Sequence, residues 1–93
     1  MFDGQPKRTI IYAARDGSEP LQEWLDEMRD KQGRVVILKR LDKLRRGSPG
    51  KWREVGGVYE LKIDFGPGYR VYCNFHGLEL VILLAGGDKG TQD

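Results

Sequence analysis

The chain has 93 residues, 39% apolar and 32% charged, with a formal net charge of +2, which fits one small globular domain with a thin core and excludes a disordered chain. Its longest apolar run, LVILLA at 80–85, is far short of the roughly 20 residues of a membrane span. The start MFDGQPKR has no apolar signal-peptide region, so a cytoplasmic chain is expected, and the lone Cys73 excludes an internal disulfide and a cysteine metal cluster.

In chain order, RTIIYAA at 8–14 combines β-branched and aromatic residues and predicts a first strand. Ser18 is the expected N-cap of a first helix, with Glu19 and Pro20 in its opening turn. Leu21, Trp24, Leu25 and Met28 recur at helical spacing, and Gly33 is read as the break after them. A second helix is predicted over 34–46, with Ile37, Leu38, Leu41 and Leu44 turned inward and Lys39, Lys43 and Arg46 on the other side. GSPGKWREVGG at 47–57 reads as a loop, or a loop with a short strand, pinned to the core by Trp52. Three strands follow at 58–65, 69–75 and 79–85, joined by GPG and HG turns into an antiparallel meander. ELVILLA is apolar on both faces and is expected to be central. The sum is a single α+β domain over 1–93, a twisted, mostly antiparallel sheet on a two-helix hairpin in the order β-α-α-β-β-β.

Charge is segregated along the chain. Asp16, Glu19, Glu23, Asp26, Glu27 and Asp30 make the first helical region acidic. The stretch from Lys31 to Arg53 is strongly basic, with Asp42 and the adjacent Glu54 as its acids. A basic surface of this kind suits nucleic acid or an acidic protein, although a solvated helix face carries charge as well. Lys39, Lys43, Arg46, Lys51 and Arg53 are the candidate RNA- or ribosome-binding residues.

Strand periodicity then sorts the C-terminal half. Tyr59, Leu61, Ile63 and Phe65 share one face with Tyr69, Val71, Cys73 and Phe75, while Glu60, Lys62, Asp64, Arg70, Tyr72 and Asn74 share the other. A solvated sheet face would look similar, but this one is concentrated in Arg, Lys and Tyr beside a glycine-rich rim. Such a set has the parts for metal-free RNA cleavage: the 2′-hydroxyl attacks phosphorus while Arg and Lys stabilise the phosphorane. Glu, Tyr or a lysine would carry protons, or Tyr72 would stack on a base. The one histidine, His76, sits in a predicted turn, so no histidine metal site is expected. AGGDKG at 85–90 lacks P-loop spacing and reads as a flexible exit carrying Lys89 to the rim of the polar face. No cofactor is expected.

PLQEWLDEMRD, then RLDKLRRGSPGKWREVGGVYELKIDFGPGYRVYC, then LLAGGDKGTQD resemble the RelE/ParE toxin superfamily, closest to its HigB-like addiction-module killer branch, from about Ile11 to Asp93. The resemblance implies the toxin of a bacterial type II toxin–antitoxin module with a RelE-like fold. It implies a ribosome-dependent mRNA endoribonuclease and a protein antitoxin, in this branch usually a helix-turn-helix DNA-binding protein, through which operator DNA is reached. It also implies site residues: Arg70 as phosphate and transition-state binder, Lys62 where relatives often carry Arg, and Lys89 as a third cation. Tyr72 and Glu60 follow as stacking and proton-transfer candidates. Relatives commonly continue into a C-terminal helix, expected here to be short or absent, and His76 does not match their catalytic histidines. Two other readings stand beside the nuclease: a ParE-like gyrase poison acting by protein contact, and an inactive module component.

Overall fold

A computed structural model describes residues 2–88. The elements are β1 (Arg8–Ile11), α1 (Pro20–Glu27), α2 (Lys31–Arg45), β2 (Trp52–Val55), β3 (Val58–Ile63), β4 (Tyr69–His76) and β5 (Leu80–Asp88). All strands belong to one sheet in the order β1-β5-β4-β3-β2, with β1 parallel to β5 and every other pair antiparallel. The mixed α+β architecture matches the expected fold class, and β5 is central as its two-sided apolarity predicted. No helix among the described residues is long and apolar enough to cross a membrane.

The segment 47–57 contributes a strand. Gly56 and Gly57 both have positive φ, 57° and 88°, which is what a two-residue hairpin turn needs to match the twist of its strands. The sheet therefore has five strands, and of the two readings of 47–57 the loop with a short strand is the one observed. Trp52, in β2, is 40% exposed and packs at the flank of the core, with its ring 5.0 Å from Phe2 and 5.3 Å from Tyr59.

Three helix expectations are corrected. Ser18 does not cap α1: the cap is Glu19, and the Glu19 amide donates to Glu23 Oε2 at 2.8 Å while the Ser18 amide is occupied by Asp16. Gly33 is no break but lies buried inside the first turn of α2, which Asp30 caps by accepting from the Gly33 amide at 2.9 Å. A side chain at 33 would strike the Tyr69 ring and the Asp30 carboxylate, so glycine serves close approach there. Leu38 faces outward, because Ile37, Leu41 and Leu44 at i, i+4 and i+7 share the arc turned to the core and Leu38 lies about 100° from Ile37.

The core lies between the helices and one face of the sheet: Leu21, Leu25, Ile37 and Leu44 meet Leu61, Val71, Cys73, Val81 and Leu83. Burial pushes the Cys73 thiol up to about 11, so it stays a neutral thiol. The sheet's other face carries no helix, and the polar residues of β3 and β4 lie there.

β5 also runs further than expected. AGGD at 85–88 is paired strand, with Tyr69 opposite Asp88 and Arg70 opposite Gly87. Gly86 keeps this segment straight against α1, since a Cβ there would occupy the Trp24 ring. Lys89 and the segment that would hold a C-terminal helix lie outside the described residues.

Candidate functional site

The hairpin registers place side chains in rows on the open face. Counting outward from the Gly56–Gly57 turn pairs Val55 with Val58, Glu54 with Tyr59 and Arg53 with Glu60. Across the next interface Glu60 pairs with Tyr72 and Lys62 with Arg70. A register shift between Tyr72 and Cys73 leaves Leu84 unpaired, so Ala85 and Gly87 stand opposite Tyr72 and Arg70. One row thus reads Arg53, Glu60, Tyr72, Ala85, and the next reads Lys62, Arg70, Gly87. The small residues at the β5 end leave the arginine and tyrosine uncovered on that side. Farther along the face the character turns apolar, with Ile82 between Asn74 and Ile10.

Glu60 is the hub. Its side chain is 2% exposed although it lies on the face without helices, because three neighbours close over it. Arg53 Nε donates to Oε1 at 2.8 Å, while Arg70 Nη1 at 3.0 Å and the Tyr72 hydroxyl at 2.9 Å donate to Oε2. Burial is the largest single influence on this carboxyl and pushes its pKa up. The hydrogen bonds from Arg53 and Tyr72 and the Arg70 charge together outweigh it, and the group lies below its ordinary value. Glu60 is therefore an ionised acceptor with its lone pairs engaged, poorly suited to take up a proton. Tyr72 is shifted the opposite way, by burial first and then by Glu60, and keeps its phenolic proton.

Arg70 is 19% exposed, so its guanidinium is held by Glu60 yet open at the surface. Lys62 stands beside it and forms no side-chain hydrogen bond or ion pair among the described residues. Lys51, tied at 3.1 Å to the exposed Asp64, completes the rim. Lys51, Lys62, Ile63, Asp64, Gly68, Tyr69 and Arg70 line a recess of about 130 Å³ beside the turn. Three cations face it against the one carboxylate of Asp64, which Lys51 already engages, so the lining is net positive.

One participant, Arg40, escaped the sequence reading, and Arg53, expected among the RNA-binding residues, takes a different place. Arg53 was grouped with the basic helix, but the hairpin puts it in the row with Glu60; the Gly56–Gly57 turn was the signal that could have placed it. Arg40 was assigned no role. Its guanidinium donates to the carbonyls of Pro49 at 2.6 Å, Lys62 at 2.6 Å and Lys51. That fork fastens α2 to the backbones carrying two of the rim lysines, a contact that only the assembled fold creates.

Of the expected site residues, Arg70, Lys62, Tyr72 and Glu60 come together. Of the expected RNA-binding set, Lys51 and Arg53 join them, whereas Lys39 and Lys43 on α2 and Arg46 at its C-cap lie on the sheet's opposite side. Among the described residues no group of His, Cys, Asp and Glu is arranged to hold a metal ion.

Residues 23–93 match the family described as Phage derived protein Gp49-like (DUF891). The chain belongs to this family. It is a RelE/ParE-like toxin family. An uncharacterized protein of Haemophilus influenzae is 44% identical over 71 residues, covering 75% of this chain and 72% of that protein. No solved structure matches the chain.

Proposed function

We propose that this Gp49-like protein is the toxin of a type II toxin–antitoxin module, of the HigB-like branch, and cleaves mRNA on the ribosome. The observation that carries the reading is the open sheet face, where a buried carboxylate holds Arg70 and Tyr72 beside Lys62. Arg70 and Lys62 would bind the scissile phosphate and stabilise the charge that grows as the 2′-oxygen attacks phosphorus. The 5′-oxygen then leaves, and Tyr72 would give it the hydroxyl proton now directed at Glu60, or would stack on a base. Glu60 takes a different part from the proton carrier first expected, that of the residue which positions Arg70, Tyr72 and Arg53. With Glu60 ionised at low pKa and holding three hydrogen bonds, acceptance of the 2′-hydroxyl proton falls to the ribosome-bound substrate complex or to Lys89 in its neutral amine form. The ribosome would supply substrate positioning, so isolated protein is expected to be weak on free RNA. Neutralisation is assigned to a cognate protein antitoxin of the helix-turn-helix kind, which alone would contact operator DNA.

A second reading, a gyrase poison acting by protein contact, draws support from the exposed apolar residues of α2. Mapping mRNA 5′ ends in bacteria after induction separates the two. New cuts within translated frames, absent with Arg70→Ala and absent from untranslated transcripts, are the expected result. Growth arrest without cuts favours the gyrase poison, and neither arrest nor cuts indicates an inactive module component.

A further inference from the structure

Asp64 follows Ile63, the last residue of β3, and stands in a wall shared by two basic hollows. On one side is the recess of about 130 Å³ with Lys51, Lys62 and Arg70. On the other, a groove of about 320 Å³ runs beside α2 and is lined by Lys39, Arg40 and Lys43. Asp64 is the acid common to both linings. Lys51 Nζ reaches Asp64 Oδ2 at 3.1 Å, and the two side chains are 64% and 76% exposed. The Lys51 hydrogen bond, then the Lys51 charge, and further off the charges of Lys62 and Arg40 hold the Asp64 carboxyl below its ordinary value. It is therefore an anion. An ion pair this exposed does little for the fold and is weakened by salt. What distinguishes it is its position, in the wall of the recess beside Arg70.

We infer that Asp64 is the resting counter-ion of the phosphate site, a carboxylate that a backbone phosphate of single-stranded nucleic acid must displace from Lys51 to enter the recess. A phosphodiester seated among Lys51, Lys62 and Arg70 would bring its oxygens against this carboxylate, and like charges so placed oppose each other. Exchange of one anion for another also frees no salt ion from Lys51, so this contact adds little to the counterion release that drives nucleic-acid binding. Asp64 thus lowers affinity for any stray polyanion and leaves the advantage to a ligand whose phosphates are already held in register. Glu60 cannot compete in this way, because it is 2% exposed and enclosed by three donors. The inference rests on the reading of the open face as a phosphate-binding surface and adds to it a residue that restrains the binding. Weak action on free RNA then has a physical ground in the chain itself.

The test titrates the full isotope-labelled chain with a short oligothymidylate, which has no 2′-hydroxyl to attack, and follows amide shifts at several salt concentrations. Asp64→Asn should tighten binding about threefold or more at low salt, and log K should fall with log salt about 0.7 more steeply, the slope that one further phosphate contact adds on a single strand. Glu79→Gln, in the turn between β4 and β5 at the other end of the sheet, makes the same change in net charge and should give neither effect. Lys51→Ala should cost little binding when Asp64 is present and should erase the gain in Asp64→Asn. Shifts at Lys62, Gly68 and Arg70 locate the oligonucleotide in each case. Asp64 and Lys51 are exposed, so an unchanged amide spectrum elsewhere checks the fold. The inference is overturned if the wild-type chain and Asp64→Asn bind alike while both show these shifts, an outcome that leaves the phosphate-binding reading standing. It is also overturned if Glu79→Gln matches Asp64→Asn, or if the gain survives Lys51→Ala. No shift at Lys62 and Arg70 with either protein defeats the phosphate-binding reading, and the inference with it.

Discussion

The open sheet face and the outward side of α2 are both basic, yet they hold their charges differently. Arg53 and Arg70 are each bound to Glu60, whereas among the described residues no carboxylate pairs with Lys31, Lys39 or Lys43. A cation tied to a buried anion surrenders part of its field and gains a fixed direction, which a reacting phosphate requires. A free lysine keeps its field and its rotamers, which suits a ligand whose anionic groups are only approximately placed. Equal composition thus supports unequal tasks, and the deciding residue is the acid beneath.

Leucines on the two sides of α2 break or sharpen this contrast most strongly. Leu44→Ala, at a fully buried position, should lower stability by about 2–5 kcal/mol in denaturant unfolding. Leu38→Ala, on the same helix but on its outward side, should change it by no more than about 0.5 kcal/mol. A large loss at Leu38 would mean that the outward side belongs to the core.

Next in size is Glu60→Gln, which should lower stability by about 1.5–3 kcal/mol, the range for hydrogen bonds to a charged group. Its pH dependence has a definite sign. The folded pKa lies below the ordinary 4.5, so the unfolded chain binds the proton more readily. The Glu60 contribution is therefore present at neutral pH, starts to fall as pH drops through about 4.5, and is gone below the folded value. Acid unfolding of the Gln variant should be correspondingly flatter between those limits. If melting temperatures of the two proteins fall in parallel with pH, the carboxylate does not hold the arginines.

The smallest effect concerns Tyr69, which borders the recess beside Arg70 but turns its hydroxyl to Asp30. Its hydroxyl donates to Asp30 Oδ2 at 2.6 Å, and this bond, then burial and the Asp30 charge, push its pKa up to about 12. Stability from this group is full below pH 10 and is lost as pH rises towards about 12. In Asp30→Asn the ultraviolet phenolate signal of Tyr69 should appear nearer pH 10. An unchanged titration would place the cause elsewhere.

Much of this was legible in the sequence because local periodicity survives folding. Alternation along 58–65 and 69–75 separated Leu61, Val71 and Cys73 from Glu60, Lys62, Arg70 and Tyr72, and the structure keeps that division. The helix stripe failed at Leu38 because it lies about 100° around the helix from Ile37, outside the narrow arc that Ile37, Leu41 and Leu44 share. Gly33 misled because its φ/ψ preference is visible in sequence while the Tyr69 ring packed on it is not. Glu60 was placed on the right face, but its burial depends on three side chains from neighbouring strands converging on one carboxylate, which no single segment records. Arg40 depends on carbonyls from two later segments and leaves no local signature.

The unpaired Leu84 carries a last consequence. It stands between Leu83, opposite Cys73, and Ala85, opposite Tyr72, so removing it would leave both pairings intact and take away only the local coil of the strand. Pairing and curvature, fused in most sheets, are separable at this one residue. A shortened chain would present the same side chains in the same order on a flatter surface. The shape of the floor under Arg70 and Tyr72 is thus open to inheritance and change independently of the residues that stand on it.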